Sequence, residues 1–237
     1  MGGDVMRTVG TVAFALASLA ISGCVGLDGS TVVSVTEMHS VTPANGVWDS
    51  EYGKTSDPAD CSFRFCVLRR VDGIQVKASV LDDKIVTDDC KIGSVSCPSW
   101  DDDNIECFFD GDNDKAKDSR SGGVYYGGEY TLVANGAAQS DNSSQPRGFG
   151  KSWTGVVARR ELSDGRFLLE YDLWFSWKCL GYVNPPDPHK DITFGFNICV
   201  HDDDDGGRAD HALYWKGNPV LPYRDESAFG TLTLKGL

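Results

Sequence analysis

Three carboxylates stand at alternating positions in Asp110-Gly111-Asp112-Asn113-Asp114, a glycine-containing stretch of a 237-residue chain. A hard divalent cation gathers many oxygen ligands from a bent loop, and this spacing suits such a cation bound through Asp110, Asp112 and Asp114, the alternative being a solvated acidic loop. The distal bidentate glutamate of an EF-hand loop is missing, so that motif is not matched. A second acidic run, Asp202 to Asp205, reads as a solvated turn. His201 and His211 flank it and read as polar loop residues rather than as a transition-metal pair.

Two further residues invite a chemical reading. Trp100 follows Pro98-Ser99 and precedes three aspartates, which places its ring at a loop-to-strand junction. There it either covers the end of the core or offers a flat apolar face to a ligand. Glu106 lies inside the apolar run Asn104 to Phe109, where a carboxylate is costly without a partner or solvent. The chain carries no GxSxG, HExxH, P-loop or Rossmann fingerprint. Nothing singles out two carboxylates facing each other across a cleft, as glycoside hydrolysis requires. Binding is therefore favoured over catalysis.

The elements that must position these residues are strands. Glycine (27) and proline (9) punctuate the chain heavily. Alternating β-rich runs occur at Thr31–Val41, Ser62–Arg69, Ile74–Leu81, Asn104–Phe109, Val124–Ala134, Trp153–Leu162, Arg166–Trp174, Ile192–Val200, His211–Trp215 and Gly230–Leu234. Asp72-Gly73 and Asp164-Gly165 mark two hairpins. Ser176 to Leu180 reads as a single helical turn ended by Gly181. No window carries a long amphipathic helical stripe. The expectation is one all-β sandwich, jelly-roll or immunoglobulin-like, of about ten strands. Hydrophobic residues at 41% and charged residues at 24% give it an ordinary core. Lys+Arg 22 against Asp+Glu 35 leaves a net charge of −13, which phosphate repels, so nucleic acid is not an expected partner.

The first 23 residues read as an address. A short segment with Arg7 precedes the apolar run Thr8 to Ser22, too short to span a bilayer comfortably. Ile21-Ser22-Gly23-Cys24 resembles a bacterial lipobox. That resemblance implies a lipoprotein signal peptide over 1–23, lipid on Cys24, a tether over 24–30, and the sandwich over 31–237. It also implies a place in the cell envelope, held to a membrane by the lipid. Beyond Cys24 lie Cys61, Cys66, Cys90, Cys97, Cys107, Cys179 and Cys199, an odd number that leaves at least one thiol unpaired within the chain. Cys90 and Cys97 flank a short loop and are the best local pair. Cys61 and Cys66 should face opposite sides of a strand. Cys107 and Cys199 sit in apolar runs and suit burial.

Taken in order, four blocks resemble a family 9 carbohydrate-binding module. They are the hairpin FRFCVLRRVDGIQVKASVLDD; Trp100 through the strand NIECFFD; Gly165 to Leu180 followed by FGFNI; and Tyr214-Trp215 with the ending YRDESAFGTL. The resemblance implies a non-catalytic jelly-roll sandwich that binds sugars, often alongside structural calcium. It assigns Trp100 and Tyr223 to ring stacking and Glu106 to accepting sugar hydroxyls, and it makes polysaccharide-degrading enzymes expected partners. Two places depart from the family pattern. Thr131 or a neighbour stands where the family often has a basic residue, and Pro219-Val220-Leu221-Pro222 replaces a polar stretch before the second ring. These departures frame the alternative: a structural or adhesive surface lipoprotein on the same fold that has lost its sugar site.

Overall fold

Long runs of β-branched and aromatic residues, broken at Asp-Gly and Gly-rich turns, pair into two antiparallel sheets. The computed structural model describes residues 32–53, 60–94, 97–115, 127–140, 148–220 and 225–237. Cys24 and Tyr223 lie outside the described residues. The first sheet orders β1 (Val32–Val35), β4 (Cys61–Arg70), β5 (Gly73–Asp82), β10 (Phe167–Ser176) and β9 (Trp153–Glu161), with β2 (His39–Val41) also on β4. The second orders β3 (Val47–Trp48), β12 (His211–Tyr214), β11 (Ile192–Asp202), β6 (Asn104–Asp110), β7 (Gly127–Val133) and β8 (Ala138–Ser140), with β13 (Gly230–Leu234) also on β11.

The sandwich therefore stands as expected, with thirteen strands among the described residues. The run Thr31–Val41 divides into β1 and β2, and the polar stretch after Ala134 contains β8. The helical turn spans Trp177–Leu180 and ends at Gly181, whose φ of 81° is the left-handed conformation glycine adopts without strain.

Inward-facing residues of both sheets form one core. Phe65, Val76, Leu173 and Phe175 of the first sheet meet Ile105, Phe109, Phe196 and Ile198 of the second. Rings cross the interlayer directly, Phe109 with Phe175 at 4.9 Å and Phe65 with Phe196 at 5.7 Å. Burying each such side chain contributes about 1.5–3 kcal/mol, so the interlayer is the main source of stability.

Strand β6 is the key to the site. All seven of its residues are buried. Ile105, Cys107 and Phe109 face the core, so the two-residue period turns Asn104, Glu106, Phe108 and Asp110 to the outer face of the second sheet. Phe108 packs there with Cys199, Ala212, Tyr214 and Phe229.

Candidate functional site

A cavity of about 500 Å³ opens on that outer face. Its floor is strand: Glu106 from β6, Glu129 from β7, His201 from β11 and Tyr214 from β12. Its walls are loops: Asp49, Glu51 and Tyr52 after β3, Trp100 and Asp101 before β6, and Arg208 after β11. Trp100 and Glu106 thus open onto one space. The Trp100 ring is 46% exposed, whereas Glu106 is only 2% exposed.

Glu106 is held from three sides. The Thr131 hydroxyl donates to Oε1 at 3.0 Å, the Cys199 thiol donates to Oε2 at 3.7 Å, and His201 Nε2 lies 3.5 Å from Oε2. Tyr52 meets the His201 ring edge-on at 5.1 Å, and the Arg208 guanidinium lies 4.7 Å from the Tyr52 ring centre. Arg208 also pairs with Glu51 at 2.6 Å, an exposed bridge of small energetic weight. Burial pushes the carboxyls of Asp49 and Asp101 and the Tyr52 hydroxyl above their ordinary pKa ranges.

The segment bearing Trp100 is tied on both sides. Cys90 and Cys97 form a disulfide, the one local pair legible in the sequence. The Asp102 carboxylate accepts the backbone N–H groups of Asp89 and Cys90 at 2.9 and 2.8 Å. Asn104 donates from its side chain to the carbonyls of Ser99 and Asp102 at 2.6 and 3.0 Å. A short 3-10 turn, Ser99–Asp101, then carries the ring outward.

The three carboxylates of the acidic loop differ in their surroundings. Asp110 is buried on β6, and burial together with the neighbouring Asp112 carboxyl pushes it up to about 6. Asp112 and Asp114 are exposed. A second carboxylate group was not legible in the sequence. Asp82 at the end of β5, Asp103 just before β6 and Asp202 at the end of β11 bring their oxygens within 4.8 Å of one another between the two sheets. Burial and mutual repulsion push the carboxyls of Asp82 and Asp202 up, and burial does the same to Asp103. Asp82 accepts from the Lys84 N–H at 2.9 Å and Asp103 from the Asp203 N–H at 3.2 Å. Neither oxygen of Asp202 has a hydrogen-bond partner, although the residue is 1% exposed.

The reading of Asp202 to Asp205 as a solvated turn is therefore corrected: Asp202 and Asp203 are buried, as is His201. Strand β11 runs on past Val200 to Asp202, which carries His201 and Asp202 into the sheet, and Asp203 follows directly after it. Tyr52, Arg208 and Asp49 escaped the sequence reading because two loops far apart in the chain, after β3 and after β11, bring them together.

A family model described as carbohydrate family 9 binding domain-like matches residues 32–237. Among solved structures, a family 9 carbohydrate-binding module from Caldicellulosiruptor kristjanssonii in complex with cellotriose aligns with a TM-score of 0.54 and 17% identity, covering 81% of this chain and 83% of that one. A family 9 module from the same organism in complex with glucose aligns at 0.53 and 18% identity, covering 82% and 86%. The shared feature at this identity is the β-sandwich fold. Among curated proteins none matches the chain.

Proposed function

The chain belongs to the carbohydrate family 9 binding domain-like family, and we propose that it binds a sugar, without catalysis, in the cavity over Glu106. One observation carries this reading. An exposed ring at Trp100 and a buried carboxylate at Glu106 open onto the same space on the outer sheet face. A pyranose offers apolar C–H faces and a rim of hydroxyls, which match a flat ring and an anionic acceptor. Tyr223, beyond the described residues, is the second ring of the proposal. Affinity is modest, because one sugar unit offers little area and loses freedom on binding.

Calcium is part of the same proposal. Asp110, Asp112 and Asp114 are the loop ligands read from the sequence. Asp82, Asp103 and Asp202 fit a hard cation better, since all three are buried with oxygens within 4.8 Å of one another, whereas Asp112 and Asp114 are exposed; Asp202, like Asp110, presents two buried oxygens without a hydrogen-bond partner. A bound cation supplies the positive charge that these carboxylates otherwise lack. Lipid on Cys24 anchors the domain to the cell envelope, where polysaccharide-degrading enzymes are its working partners.

Calorimetry tests the central claim with glucose, cellotriose and a panel of other mono- and oligosaccharides. Binding by the wild type and none by Trp100→Ala supports it. No binding to any glycan by the wild type favours the structural or adhesive lipoprotein instead.

A further inference from the structure

The cavity floor carries a donor set that a sugar site does not require. Cross-strand register pairs Cys199 directly with Glu106, so their side chains leave the sheet side by side. His201 follows two positions later on the same face of β11. A carboxylate, a thiol and an imidazole thus converge from two neighbouring strands.

Their spacing is that of a metal's coordination shell. Glu106 Oε2 lies 3.7 Å from Cys199 Sγ and 3.5 Å from His201 Nε2, and all three donors fall within 4.8 Å of one another. Tetrahedral zinc, with bonds of roughly 2.0 Å to nitrogen and oxygen and 2.3 Å to sulfur, holds neighbouring donors roughly 3.3 to 3.7 Å apart. Two of the three edges already match. The residues are 2%, 0% and 4% exposed in the order Glu106, Cys199 and His201. Neither ring nitrogen of His201 has a hydrogen-bond partner, a cost at this depth that a metal–nitrogen bond removes.

We propose that Glu106, Cys199 and His201 form a three-ligand site for zinc or a zinc-like transition ion, with its fourth position open to the cavity. Sulfur and imidazole nitrogen select such an ion over calcium or magnesium. Charge balances as well: one carboxylate and one thiolate neutralise a divalent ion, leaving a neutral site in a low-dielectric floor. Binding exchanges the thiol proton for the metal. The S–H bond breaks, a sulfur–metal bond forms, and the proton leaves to the buffer. Asp49 lines the same cavity as Glu106 and His201, which places a further carboxylate in the neighbourhood of the ligands. Three protein ligands with one open position is the arrangement of zinc sites that exchange a water or take a further ligand.

Cobalt(II) reports on such a site, because thiolate ligation gives a charge-transfer band in the near ultraviolet. Titrating metal-free full-length chain with cobalt(II) should develop this band, saturating at one equivalent per chain, and zinc should abolish it. Cys199→Ala should lose the band, whereas Cys66→Ala, which removes a thiol from the other sheet, should keep it. His201→Gln should weaken cobalt binding at least about tenfold, and it decides the matter alone if Cys199→Ala does not fold. Absence of the band in the wild type, its survival in Cys199→Ala, or unchanged affinity in His201→Gln would overturn the assignment.

Discussion

Thr131 and Glu106 are direct cross-strand partners, and the Thr131 hydroxyl donates to Glu106 Oε1 at 3.0 Å. Thr131 thus fixes the orientation of the carboxylate. Thr131→Val should cost about 1 kcal/mol by removing a donor from a buried acceptor. It should also weaken sugar binding, because Glu106 is then free to turn. Thr131→Ser should retain both properties. Denaturant unfolding and calorimetry measure the two effects, and equal stability of Thr131→Val and wild type would show that the bond contributes nothing.

Trp100→Ala should separate binding from folding. Trp100 is 46% exposed, so the truncation should cost less than the about 3–5 kcal/mol of a fully buried aromatic and leave the fold intact. Glucose or cellotriose affinity should fall at least about tenfold, the loss of roughly 1.4 kcal/mol of stacking. Binding that survives this change places the sugar elsewhere.

Calcium should raise the melting temperature relative to chelator. At a hundred times the dissociation constant the gain is about 2.7 kcal/mol. Asp202→Asn should abolish the difference and Asp112→Asn should leave it. The reverse pattern assigns the ion to the loop at Asp110, and superimposed wild-type melts remove calcium altogether.

His39 should give stability an acid-side slope. Its ring lies 4.9 Å from both Phe65 and Trp215, and burial lowers its pKa, with Lys216 adding to the effect and Glu37 opposing it. The folded state thus prefers the neutral ring. That stabilisation is complete above the unfolded value near 6.5 and is lost as pH falls through the lower folded value. Other carboxyls titrate in the same range, so the informative quantity is a difference. Between about pH 7.5 and 5, wild type should lose more stability than His39→Phe. Parallel curves would show that His39 does not contribute.

Cys24→Ser should shift the protein from the membrane to the soluble fraction, or leave it unprocessed. Stable attachment takes two or more acyl chains, which one lipidated cysteine supplies. Fractionation and processing identical to wild type would remove the lipobox from the account.

Local signals were readable and long-range ones were not. The hairpin from Cys61 to Asp82 announced itself through alternation around Asp72-Gly73, and Cys90–Cys97 through a short loop. Trp100 and Glu106 were legible because a ring and a misplaced carboxylate stand out within a few residues. Strand β6 hid its two faces, since both are covered and alternation carries no contrast. Asp202 and Asp203 read as solvated because acidic composition predicts exposure, while the extension of β11 through Asp202 leaves no compositional mark. Asp49, Tyr52 and Arg208 converge on the cavity from loops far apart in the chain, and spacing along one sequence cannot show convergence.

The disulfide between Cys90 and Cys97 gives the cavity wall a history. Folding alone supplies the hydrogen bonds that hold Asp102 to Asp89 and Cys90. The covalent closure on the other side of Trp100 comes only where thiols are oxidised. In a reducing compartment the sandwich therefore stands without this closure of the wall. A reductant added to the oxidised protein should loosen the wall while the two sheets stay packed.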